Sequence, residues 1–287
     1  MLQRPDDARL PPLPLLALAF GLYMVLILVA VFWIFPSGML RPVSRATAGL
    51  VNATLVLNLG MLAVVAGLLL CRVAGMRGID LGLEARHIPA AVGWTLATWI
   101  LVNVGVAAWQ FLREGAITYN PDWRERGASV VVGGLLAQYL GNALYEEIMF
   151  RGLLLRQLFW RLEGRTGPDL ERFVIALVIS QAWFAALHLP LYLSQGMPLA
   201  QALTILPNVL LAGAAFSILY VRTGNLLLAV GIHAFVNEPA LVVADPFGYD
   251  NLYFVVAVCA VIVWIWPMYA RLRGRWRSRS PGGALAS

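Results

Sequence analysis

An all-α polytopic membrane bundle of about eight transmembrane helices is the fold class this sequence predicts, and three observations predict it. Of 287 residues, 60% are apolar and only 13% are charged, with a mean hydropathy of +0.76, whereas about a quarter of the residues in soluble domains are charged. Runs of roughly twenty mostly apolar residues recur along the chain. Each is long enough to cross about 30 Å of hydrocarbon as a helix, the element that satisfies its own backbone hydrogen bonds in lipid. The basic residues, all arginine, are shared unevenly between alternate connections.

The apolar runs place spans at 14–35, 49–71, 89–112, 129–155, 173–190, 200–221, 225–243 and 251–270. The first is too long for the apolar region of a signal peptide and has no small-residue cleavage site, so it is expected to be a retained helix. The first three spans hold almost no ionisable residue. Their polar exceptions, Asn52, Asn58 and Asn103, suit interhelical hydrogen bonds, which makes residues 1–128 a scaffold. The fourth span carries charges and the fifth ends at Pro190. The sixth has a small-residue face, Gly213 among Ala212, Ala214, Ala215 and Ser217, suited to close packing. The seventh follows across a tight Thr223-Gly224 turn and is interrupted at Glu238-Pro239, so seven or nine crossings also fit. Residues 129–243 form the expected chemical core, 244–270 the last span, and 271–287 a basic, irregular tail. The mixed-charge segment 113–127 reads as a solvated loop. Cys71 and Cys259 lie at or inside spans, as small apolar side chains do, and indicate neither a disulfide framework nor a cysteine metal site.

A net charge of +6 would suggest nucleic acid for a soluble protein; in a membrane protein topology explains it better. With eight spans both termini share one side. That side collects Arg4, Arg9, Arg72, Arg77, Arg86, Arg156, Arg161, Arg165, Arg172, Arg222 and tail arginines 271, 273, 275, 277 and 279, fifteen in all. The other side holds five, Arg41, Arg45, Arg113, Arg124 and Arg126. Positive charge marks the cytoplasmic side, so both termini are expected in the cytoplasm of a cell with the protein in its inner membrane. The tail then meets anionic lipid headgroups, at about 1 kcal/mol per arginine. No nucleic-acid partner is expected.

Chemistry concentrates between residues 129 and 240. The run Leu144-Tyr145-Glu146-Glu147-Ile148-Met149-Phe150-Arg151 puts two carboxylates and a guanidinium at membrane depth, where each charge costs about 2.5–3.5 kcal/mol and is by default functional. Neighbouring helical residues diverge by about 100°, so Glu146 and Glu147 face different ways, whereas Glu147 and Arg151 share a face at i, i+4. Glu147 is therefore expected to pair with Arg151, leaving Glu146 free. Asn142 lies one turn before Glu146. Phe184 and His188 occupy one face of the fifth span; His233 and Asn237 occupy one face of the seventh. His87, in a connection, completes the three histidines. A carboxylate, two imidazoles and an amide drawn from three helices form a set that can activate water and stabilise an oxyanion, with or without a metal.

The order Glu-Glu-x-x-x-Arg, Phe-x-x-x-His and His-x-x-x-Asn on three successive motif-bearing helices resembles the CAAX prenyl endopeptidase type II and bacteriocin-processing (CPBP, abortive-infection-like) intramembrane proteases. The motifs here are Glu146, Glu147 and Arg151; Phe184 and His188; His233 and Asn237. The resemblance implies a membrane-embedded endopeptidase in which Glu146 activates water and His188, His233 and Asn237 complete the site. Glu147, Arg151 and Phe184 act in support. It also implies peptide or protein substrates, with or without a lipid modification, and water entering from the cytoplasmic side.

Two chemistries fit this set. Glu146, His188 and His233 match a catalytic zinc ligand set, although the His-Glu-x-x-His helix that secures such an assignment is missing. Alternatively, without metal, Glu146 takes the proton of water while His233 and Asn237 donate to the oxyanion. Two other classes compete: a proton- or ion-coupled transporter, against which no inverted repeat relates the halves, and a catalytically silent scaffold.

Overall fold

Apolar runs become helices wherever the flanking residues can start and stop them. In α1 (Leu13–Ser37), Pro14 fits the first turn and Gly38, at φ 66°, ends the rod. Asn52 caps α2 (Ala53–Val73), its Oδ1 accepting from the Leu55 amide at 2.9 Å. There follow α3 (Ala85–Glu114), α4 (Ala128–Arg161), α5 (Asp169–Ser194) and α6 (Leu199–Thr223). Asn225 caps the short α7 (Leu226–Asn237), and α8 starts at Leu252. The computed structural model describes residues 9–164, 167–245 and 252–279. Among these, all the helices but α7 are long and apolar enough to cross a membrane, seven in total. The protein is a polytopic helical membrane bundle.

The expected seventh span, 225–243, is the point of difference. Its helical part is 12 residues long, about 18 Å at 1.5 Å per residue, against roughly 30 Å of hydrocarbon. It is apolar all round and buried from Leu228 to Phe235, as suits a helix enclosed by others. Beyond Glu238-Pro239 the chain continues without regular structure, and neighbours satisfy its backbone. The Asn103 Oδ1 accepts from the Val242 amide at 2.8 Å; Trp123 Nε1 and Asn120 Nδ2 donate to the Leu241 carbonyl at 2.8 and 3.0 Å. Irregular backbone is tolerated at membrane depth only when enclosed in this way. Segment 113–127, read from sequence as a solvated loop, thus clasps 238–245, and its Arg126 also pairs with Glu238 at 3.3 Å.

The two ends of the bundle differ. At the end where α1 begins, Arg9 donates to the Gly75 carbonyl and Arg161 to that of Pro11. There too Arg156 Nη1 reaches the Ile79 carbonyl at 3.0 Å, and Asn225 Nδ2 that of His87 at 3.2 Å. Asp80 is buried in the same layer, 2.8 Å from the Arg77 amide and 3.1 Å from its Nε. Burial alone pushes the Asp80 carboxyl up, but hydrogen bonds from the Arg77 side chain and from the Arg77 and Arg9 amides outweigh it and hold it below the usual carboxylate value. Helix α8 returns to this end, Tyr269 packing on Trp94 at 5.6 Å. Its backbone stays helical to Arg279, where an irregular tail is expected from sequence; residues 280–287 lie outside the described residues. The opposite end carries connections 38–52, 115–127 and 195–198.

Candidate active site

Helix α4 is the central rod, and the way it winds sets the site. Two stretches of wider π-helical turns, Ala137–Asn142 and Ile148–Leu155, flank the α-helical turn Ala143–Glu147 that holds both glutamates. Such interruptions frequently mark functional sites. Consecutive positions send Glu146 toward a cavity and Glu147 into the packed interior.

Glu147 and Arg151 are fully buried and joined at 2.8 Å. Every direction of the guanidinium is used: Nε donates to Ser217 Oγ at 3.2 Å, and Nη2 to Gln181 Oε1 at 3.0 Å and to the Gly213 carbonyl at 2.8 Å. The Phe184 ring lies 4.5 Å from the guanidinium carbon, a cation–π contact. Gly213 is required there, since a Cβ would stand 2.9 Å from Arg151 Nη2.

Glu147 also reaches across to α7. His233 Nδ1 donates to Glu147 Oε1 at 2.8 Å, and the ring stacks on Phe216 with centroids 4.6 Å apart. That leaves Nε2 turned to Glu146 Oε2, 3.5 Å away. Glu146 Oε2 makes no hydrogen bond within the protein, and the side chain keeps 13% of its surface exposed.

That exposure is into a cavity of about 490 Å³. Gln138, Asn142, Glu146 and Phe150 line it from α4, joined by His188 and Asn237. His188 Nδ1 donates to the Phe184 carbonyl at 2.8 Å, which leaves Nε2 as its free nitrogen. Asn237 Nδ2 donates to Gln138 Oε1 at 3.0 Å. A second cavity of about 530 Å³, between α5, α6, α7 and α8, shares Phe184, His188 and Asn237 with the first and adds His233. The structure thus brings Glu146, His188 and Asn237 to one surface, sets His233 directly beneath Glu146, and puts Glu147, Arg151 and Phe184 underneath as their support.

Several contributors were not singled out in the sequence. Gln138 continues the i, i+4 series of Asn142 and Glu146 by one turn, a spacing that could have revealed it. Gln181, three residues before Phe184, carries no signal of its own. Tyr23 of α1 and Asn58 of α2 line the first cavity, so helices read as scaffold form its walls. Most of these walls belong to the half of the bundle away from the chain's start. Of the possible zinc set Glu146, His188 and His233, both imidazoles use Nδ1 on other partners, which leaves their Nε2 atoms as the nitrogens that could bind a metal, and among the described residues no group of three His, Cys, Asp or Glu side chains is placed to hold one.

Carboxylate, imidazole and amide groups around a cavity in a helical membrane bundle form a set that can activate water and stabilise an oxyanion. Residues 128–238, the segment that holds every motif residue, match the family model for Type II CAAX prenyl endopeptidase Rce1-like. No curated protein and no solved structure matches the chain.

Proposed function

We propose that this protein is an intramembrane endopeptidase in which Glu146 activates the attacking water. The observation that carries the reading is the contrast at residues 146 and 147: one carboxylate fully buried and locked to Arg151, the other partly exposed to a cavity that His188 and Asn237 also line. Water bound at Glu146 gives its proton to the carboxylate while its oxygen bonds to the scissile carbonyl carbon. The carbonyl electron pair moves onto oxygen, and the Asn237 amide is placed to donate to that oxyanion. Collapse breaks the C–N bond, and the proton held by Glu146 passes to the leaving amine. His188, with Nε2 free, orients the water, and His233, 3.5 Å from Glu146, keeps that carboxylate aimed. Apolar walls at Ile27, Phe35 and Leu191 suit apolar or lipid-modified peptides.

The excess of arginine at the end where the chain starts supports a topology with both termini in the cytoplasm. The test of activity is cleavage of quenched apolar and prenylated peptides by the detergent-purified protein, comparing wild type with Glu146→Gln and His188→Ala, with and without chelator. Loss in both variants and survival under chelator are expected. Turnover indifferent to both substitutions, or none in the wild type, overturns the reading.

A further inference from the structure

We infer that the site receives its peptide on the face away from the cytoplasm, so that its substrates are extended, largely apolar segments of exported or extracytoplasmic polypeptides. The inference rests on the endopeptidase reading and adds the side from which the substrate comes.

Cavity position carries it. The first cavity takes its walls from α1 beyond Tyr23, from the first turns of α2 at Thr54 and Asn58, from α5 after Phe184, and from the last residues of α7. The second adds α6 from Ile205 to Phe216 and the start of α8 at Leu252. Apart from Glu146 and Phe150, just past the middle of α4, and Ala212 and Phe216, just past that of α6, the lining lies in or next to the half of each helix nearest the 38–52, 115–127 and 195–198 connections. The other end is sealed by the layer of Asp80, Arg156, Arg161 and Asn225, whose hydrogen bonds tie α1, α4 and α7 to the 74–84 connection and its neighbours. That sealed end is also the arginine-rich one, which the positive-inside rule sets in the cytoplasm. Position and charge together turn the cavities outward, opposite to the cytoplasmic entry that the family resemblance implies.

The lining indicates what fits. Asn58, Gln138, Asn142 and Asn237 offer amide donors and acceptors, and apart from Tyr23, Thr54, Glu146 and His188 the rest is apolar. An extended backbone has the matching groups in alternation, and its apolar side chains replace water against Ile27, Phe35 and Val236.

The test uses the full chain with Cys71→Ser and Cys259→Ala, carrying a single new cysteine at Arg124→Cys, in the 115–127 connection, or Arg86→Cys, in the exposed first turn of α3 at the opposite end. An impermeant maleimide applied to intact spheroplasts is expected to label Arg124→Cys directly and Arg86→Cys only after permeabilisation. In sealed proteoliposomes whose orientation these labels report, a charged, quenched apolar peptide added outside is expected to be cleaved at least tenfold faster where Arg124→Cys faces out. Reversed labelling, or cleavage that follows the fraction with Arg86→Cys outward, overturns the inference and leaves the endopeptidase reading standing. Failure of the solubilised wild-type protein to cleave any peptide overturns both.

Discussion

Two faces of one helix, a single residue apart, solve opposite problems. On the Glu147 face of α4 every polar atom of Arg151 has a partner, and Glu147 Oε1 serves both Arg151 and His233. On the Glu146 face a carboxylate oxygen stands without a hydrogen bond beside a cavity. Charge in a membrane interior is tolerable when compensated, so the first face can be spent on rigidity. The second keeps a carboxylate that no arginine pairs, part of its surface open to the cavity, which has value only if something else binds there. A guanidinium with every donor used, next to a partly exposed carboxylate, is how a bundle can hold one reactive group steady.

The sharpest way to test that contrast is to alter each face in turn. Glu146→Gln keeps the shape and removes the base, so peptide turnover is expected to fall about 10²–10⁴-fold, the range for a general base. Its melting temperature in detergent should stay within a few degrees of wild type. Glu147→Leu should do the reverse in stability, because Arg151 is left as a buried charge without its counter-ion: about 3–5 kcal/mol is expected to be lost in detergent unfolding. If Glu146→Gln unfolds the protein, or Glu147→Leu is as stable as wild type, the division of labour between the faces is wrong.

How much of this was legible in the sequence follows from what each feature depends on. The helical membrane class rests on composition and the divergence of Glu146 from Glu147 on the 100° step, both local properties, and both were readable. The pairing of Arg151 with Glu147 needed only the i, i+4 rule. Its other partners come from α5 and α6, and no spacing within one helix points to Gln181 or Ser217. The shortness of α7 was hidden because its apolar run continues past Pro239, although the residues beyond are bound by Asn103, Asn120 and Trp123, from segments more than a hundred residues away. The place of α1 and α2 in the cavity wall was equally hidden, since Tyr23 resembles any other interior side chain and Asn58, a polar exception in its span, suited an interhelical hydrogen bond as well as a cavity.

Smaller effects come from residues that shape the two faces without carrying the charge. Gly213→Ala inserts a methyl group 2.9 Å from both Arg151 Nη2 and Phe184 Cδ1; overpacking of this kind costs about 1–3 kcal/mol. The expected readout is a lower melting temperature, with activity lost in proportion to the folded fraction. Gln138→Ala leaves the Arg151 network untouched and removes the acceptor for Asn237 Nδ2. One hydrogen bond of about 0.5–1.5 kcal/mol corresponds to a two- to tenfold fall in kcat with unchanged stability. An equal fall in Asn237→Ala that Gln138→Ala does not deepen would show that the two amides act as a unit.

The smallest effect lies far from the site, at Asp80, a third carboxylate with its donors in place. Its folded-state value is held below that of the unfolded chain by hydrogen bonds from Arg77 and Arg9, despite the opposing effect of burial. A depressed carboxyl contributes stability that is fully present above the unfolded value, about 3.9. That contribution is lost as pH falls through the folded value, because protonation then removes the acceptor charge. Melting temperature should therefore be indifferent to Asp80 titration between pH 6 and 8 and decline below roughly pH 4. In Asp80→Asn the neutral-pH melting temperature should be lower by a few degrees and the acid decline shallower. Were the acid limb of Asp80→Asn as steep as that of wild type, the sealing of this end would depend on other groups, and Asp80 would be an anchor for the Arg77 turn alone.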